Sequence, residues 1–190
     1  MADQLYLSYH LRGFSIATML RYYEKLLRTF PFSRLARQPS TFKVLAVNYA
    51  EPVVLEIPLE PPVSVERVLA AAQDFANPDS AFRLESWWDL WQFDTDWKLA
   101  PSRVAQCGFG PEFEREGGED LTVEFGIDAH FLPQPGHPDS LRMVQSNIKS
   151  LLKLVHDLDD ALPVENRRLW SESGENFSEK LHEALSAALE

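Results

Sequence analysis

Glu124, Asp128 and His130 stand in the segment 121–131, "LTVEFGIDAHF", where apolar residues alternate with polar ones. If the segment is one strand, side chains two apart point the same way. Asp128 and His130 would then form a cation chelate or an acid/base couple, with Glu124 two further steps back. The solvated face of an antiparallel sheet gives the same pattern with no site at all. No H-x-x-x-H spacing backs the metal reading, so neither a metal nor a cofactor is expected, and a small-molecule or metal-dependent enzyme using these residues is kept as the alternative.

The second concentration of chemistry is aromatic. Residues 84–99, "LESWWDLWQFDTDWKL", hold Trp87, Trp88, Trp91 and Trp97, four of the five tryptophans. Large rings dominate cores and interfaces alike. A sheet with one covered face has room for only some of them, and the surplus would form an exposed apolar patch of the kind that marks a contact surface. With Asp89, Asp94 and Asp96 beside it, such a wall suits a cationic or sugar-like ligand or a partner's basic side chains. Trp87, Trp88, Trp91, Trp97, Asp94 and Asp96 are therefore the expected binding set.

Other signals are weaker. Arg21, Lys25 and Arg28 recur at helical spacing and form a basic ridge, an ordinary solvated helix face or a minor anion site. Lys149, Lys153, His156 and Asp160 read as another exposed charged face. "CGFGPEF" lacks the further glycines and lysine of a phosphate loop and suits a bulged strand end. Cys107 has no histidine close in sequence and is expected to be buried and inert. No nucleophile elbow, Walker loop, dinucleotide fingerprint or calcium loop is present.

The elements that must position these residues follow from periodicity. Residues 4–11 alternate as a strand, Gly13 punctuates, and Ser15 caps a helix with Ile16, Met19, Leu20, Tyr23, Leu26, Leu27 and Phe30 inward. Residues 41–59 read as two strands about a turn at "NYAEP", the second at an edge because Pro52 and Pro58 remove ladder donors. Ser64 caps a short helix with Val65, Val68, Leu69, Ala72 and Phe75. The tryptophan stretch reads as strand, with residues 94–96 as a turn and "REGGED" linking residues 103–109 back to 121–131. After "PQPGHPD", Asp139 or Ser140 caps a long helix with Leu141, Val144, Ile148, Leu151, Leu152, Val155, Leu158 and Leu162 inward; beyond a break at Gly174, a terminal helix carries Phe177, Leu181, Ala184, Leu185, Ala188 and Leu189 on one stripe.

The expected fold is α+β: a largely antiparallel sheet of about five to six strands, long helices over one face, a βαββα opening and a C-terminal helix. Residues 1–163 make one domain, and 164–190 a helical appendage packed on it or on a partner. The 190 residues suffice for a core without staples. The formal net charge is -11, against nucleic-acid binding. It is uneven: residues 1–46 carry seven Lys/Arg against two acids, +5, leaving -16 for the rest. A single cysteine suits a reducing, cytoplasmic setting, and neither a leader nor a membrane-spanning run of about 18 apolar residues is seen. Together these point to an acidic, cytoplasmic protein-interaction or accessory module. Its partner is a protein or a second copy rather than a small molecule, and homo-oligomerisation is possible through the terminal helix.

Overall fold

The computed structural model describes residues 3–46, 53–133, 140–173 and 176–188. Along the chain these form β1 (Gln4–Leu11), α1 (Ile16–Thr29), β2 (Ser40–Ala46), β3 (Val53–Leu59) and α2 (Val65–Gln73). Then come β4 (Ser80–Phe93), β5 (Trp97–Phe109), β6 (Leu121–Ile127), a short 3-10 helix (Asp128–Phe131), α3 (Ser140–Ala161), β7 (Val164–Ser171) and α4 (Phe177–Ala188). The strands make one sheet in the order β3-β2-β4-β5-β6-β1-β7, with every pairing antiparallel. The class is α+β with the βαββα opening, and no helix among the described residues is long and apolar enough to cross a membrane.

Alternation decides which side chains enter the core. On β4, Phe82, Leu84, Ser86, Trp88 and Leu90 point inward while Arg83, Glu85 and Trp87 point out. On β1, Leu5, Leu7 and Tyr9 are inward, and on β6 Leu121, Val123 and Phe125. All four helices contribute to the same apolar cluster, through residues such as Leu26, Val68, Leu151 and Phe177. One face of the sheet is thus covered, and the outward side chains of the other stay out of that cluster except at the end of the β4–β5 hairpin, where Trp97 packs against it.

Three expectations change. The sheet has seven strands rather than five or six, and only α3, with 22 residues, is long; α1, α2 and α4 have 14, 9 and 12. The extra strand is β7, in the stretch assigned to a helical appendage. At the sheet edge it leaves Glu165, Asn166, Arg167 and Arg168 exposed, so apolar alternation is missing. On α3 the expected Leu152 is instead 55% exposed, and Asn147 and Leu154 take inward places. The turn at residues 48–52, the loop at 134–139 with Asp139, the break at Gly174, and the side chains of Leu185, Ala188 and Leu189 lie outside the described residues.

The hairpin of β4 and β5 outruns its neighbours. β2 pairs with β4 only over Ser80 to Glu85, and β6 pairs with β5 only over Ala105 to Gly108. Residues 86–93 and 97–104 therefore form a two-stranded arm. It is held by loops and helices instead of strands: the Ser33 N–H donates to the Trp87 carbonyl at 2.8 Å, and Asn147 of α3 clasps the Trp91 backbone.

Candidate functional site

The uncovered sheet face is organised in rows. Glu85, Ala105, Glu124, Tyr6 and Trp170 lie opposite one another on β4, β5, β6, β1 and β7. The next row is Arg83, Cys107, Thr122, Ser8 and Arg168, and on the other side Trp87 faces Arg103. Between the first two of these rows opposite charges fall within reach, and they pair.

Arg83 is the centre. Its two terminal nitrogens donate to the two oxygens of Glu124, each at 2.7 Å, and its Nε donates to Glu85 at 3.1 Å. This is the bidentate fork that makes arginine–carboxylate pairs strong and directional. Lys43 of β2 closes the other side of Glu85, at 3.2 Å from both oxygens. The hydrogen bonds to Glu124 hold the Arg83 guanidinium above its ordinary range against the opposing effect of burial. Burial pushes Glu85 up, but its bonds to Arg83 and Lys43 outweigh it and keep the carboxyl below its usual value. Burial, then Glu124, pushes the Cys107 thiol up to about 12. With its sulfur 3.4 Å from an Arg83 nitrogen and 3% of the residue exposed, Cys107 is a buried neutral thiol.

Beside this network the face is recessed. Ala105 contributes one methyl to the floor and Gly126 none, and around them lies a cavity of about 320 Å³ lined by Arg83, Glu85, Trp87, Arg103, Glu124 and Gln4 among others. Gly126 has φ of 76°, which side-chain-bearing residues rarely adopt. A Cβ there would also stand 3.3 Å from the Arg103 carbonyl. Trp87 forms one wall, its indole N–H donating to the Pro39 carbonyl at 3.3 Å. The Arg103 guanidinium lies over that ring, 5.5 Å from its centre. At the far end of the face Trp170 stacks on Tyr6 with 4.5 Å between ring centres, donates to Ser8 at 3.0 Å and carries Arg168 over its ring.

The expected residues scatter over this structure. Trp88 is 3% exposed, wedged between Phe30, Phe125 and Phe131, so it packs the core and does not reach a surface. Trp87 walls the recess. Trp91 sits on the arm, and Trp97 packs at a tilt against Phe93 at its tip, where Asp94 and Asp96 are exposed. Asp89 does not flank an indole as a free carboxylate: it accepts from the Ser33 hydroxyl, and from the Arg34 N–H at 2.9 Å.

Glu124, Asp128 and His130 do not converge. The strand stops at Ile127, and Asp128 and His130 lie on the 3-10 helix, whose tighter winding abolishes the two-residue alternation. Glu124 is engaged by Arg83. Asp128, 1% exposed, accepts from Lys180 at 2.7 Å and from the Asp3 N–H at 3.1 Å, tying α4 to the start of β1. Burial lowers the pKa of His130. Among the described residues no group of three His, Cys, Asp or Glu is placed to hold a metal ion.

On α1, Arg28 is occupied by Glu24 at 2.7 Å and Glu66 at 3.0 Å, while Arg21 and Lys25 flank the Tyr22 ring. Lys153 pairs with Asp157 and His156 with Asp160 along exposed α3. "CGFGPEF" serves packing: a Cβ on Gly108 would press the Tyr23 ring at 2.8 Å, and one on Gly110 would strike the Pro78 carbonyl oxygen at 2.2 Å. Arg83, Arg103, Ala105 and Gly126 were not anticipated. The signal for the first three is the odd-numbered register R-x-E-x-W of residues 83–87 set against R-x-A-x-C of 103–107, visible only once the two strands are paired. No protein-family model, curated protein or solved structure matches this chain.

Proposed function

We propose that this chain is an acidic protein-interaction or accessory module of the cytosol that engages its partner through the uncovered face of the sheet, at the recess walled by Trp87. The observation that carries this reading is the recess. An antiparallel sheet can finish its solvent face with polar side chains alone. Here small residues open the floor beside an indole, and ion pairs fix the groups around it. Preorganised polar groups around an aromatic wall are what a binding site needs. The two carboxylates that would have served catalysis are engaged by different partners, Glu124 by Arg83 and Asp128 by Lys180, which favours binding over turnover. Trp91, with Asp94 and Asp96 at the tip, extends the site along the arm and would rim the contact.

Amide and side-chain NMR of the whole chain against a library of small charged and neutral fragments tests the reading. Shift changes should gather at the Trp87 indole N–H and at the Arg103, Ala105 and Gly126 amides, and Trp87→Ala should abolish them while the spectrum stays dispersed. A library that leaves those signals still, or moves only signals elsewhere, counts against it.

A further inference from the structure

The aspartates expected beside the indoles implied a cationic ligand, yet the recess itself is bordered by arginines. We infer that it is a reader of carboxylates: it takes an anionic, planar carboxylate carried next to an apolar or aromatic group, with the Arg103 fork on the acid and the Trp87 wall against the apolar part. The inference rests on the binding-module reading and adds the ligand class.

The network and recess together hold Lys43, Arg83 and Arg103 against Glu85 and Glu124, a surplus of one positive charge in a chain of net charge -11. Both carboxylates are engaged, Glu124 through both oxygens by Arg83 and Glu85 by Arg83 and Lys43. Arg103 is different. Among the described residues it has no ion pair, and its one partner is the Trp87 ring. A guanidinium lying on an indole keeps its N–H edge available, and that edge matches a carboxylate bidentately. A cation arriving at Trp87 would meet this arginine already there and be repelled.

Size and neighbours narrow the class. At about 320 Å³ the recess is at the small end of ligand cavities, room for a side chain or a small acid and not for a nucleotide. Glu124 and Glu85 stand within the same lining, so a phosphate dianion would face two carboxylates for one uncommitted cation. Gln4 and Thr41 also line it, and neither side chain has a hydrogen bond to another described residue, so a polar tail next to the acid finds donors and acceptors.

The probes are 3-phenylpropionate, its carboxamide, phenethylamine and inorganic phosphate, titrated into the whole chain and followed at the Trp87 indole N–H and the Arg103 Nε–H. Two short peptides ending in phenylalanine, one with a free C-terminal carboxylate and one amidated, distinguish a partner's chain end from a free acid. The acid should bind saturably and at least about tenfold more tightly than the carboxamide, as expected for a charge-assisted contact. Amine and phosphate should be weaker still. Arg103→Gln should remove the preference for acid over amide, and Arg103→Lys should keep part of it, both on an exposed residue whose change leaves the spectrum dispersed. If the amide or amine binds as well as the acid, or Arg103→Gln changes nothing, the ligand class is wrong while the recess stands as a binding site. If no probe moves the recess signals, the inference and the module reading fall together.

Discussion

Arg83 sets the electrostatics of the open face because two carboxylates, Glu124 and Glu85, depend on it at once. With side chains 29% and 24% exposed, Arg83 and Glu124 are sheltered enough that each needs the other. Arg83→Met would leave Glu124 partly buried and unpaired, and leave Glu85 with Lys43 alone. The expected loss is about 2–4 kcal/mol in urea unfolding, the usual scale for breaking a sheltered pair from one side. Removing both partners, as Arg83→Met with Glu124→Leu, should restore much of it, since like-sized apolar residues relieve the stranded charge. A double variant as unstable as the sum of the single ones would mean that the two do not act as a pair. None of this was legible from either residue alone. Glu124 was singled out for its spacing to Asp128 and His130, whereas its true partner is 41 positions away in sequence and meets it only through strand pairing.

At the scale of elements, α1, α2 and most of the strands were legible because each has one wet and one dry side, and periodicity records that division directly. β7 was not, since an edge strand with four successive exposed residues has no dry side to alternate against. The end of β6 was hidden too: "GIDAHF" keeps an alternating composition although the chain winds into a 3-10 turn, where Asp128 is buried by Lys180 and not by its neighbours. The inward place of Asn147 on α3 was equally invisible, because a polar residue on an apolar stripe looks like a fault until its partners are seen. It substitutes for a missing strand, accepting from the Trp91 N–H at 2.9 Å and donating at 2.8 Å to the carbonyls of both Trp91 and His130. Asn147→Ala would leave three backbone groups without partners. A loss of about 2–4 kcal/mol is expected, each stranded buried group costing roughly 1–3 with some relief from water. The Trp91 amide should exchange far faster, while amides in the Ser80 to Glu85 part of β4, held by β2, stay protected. Unchanged Trp91 protection would show that the arm is held by something else.

For the molecule as a whole, weak acids are buried on both sides of the sheet: Tyr9 and Tyr23 in the apolar cluster under the helices, and Cys107 beneath the Arg83 network of the open face. Tyr23 is fully buried, its hydroxyl donating to the Gln106 carbonyl at 3.0 Å, and burial lifts its pKa well above the ordinary value. Tyr9 is raised by burial and then by Asp159, and Cys107 is pushed by burial to about 12. In the unfolded chain these groups lose protons near pH 9 for the thiol and pH 10 for the phenols. Below those values both states hold the proton and the groups do not alter stability. Above them the unfolded chain releases protons that the fold retains, so stability declines as pH rises, by up to about 1.4 kcal/mol per pH unit for each group in that window. The acidic surplus acts in the same direction, since every further negative charge adds repulsion to a chain already at -11. Urea midpoints measured between pH 7 and 11 should therefore fall continuously above about pH 9, and Cys107→Ser, which removes one titrating group, should make the fall shallower between pH 9 and 10 even if its stability at pH 7 is lower. A midpoint that stays level to pH 10.5 would mean that water reaches the tyrosines under the helices, and a slope indifferent to Cys107 would mean that water reaches the thiol beneath the Arg83 network.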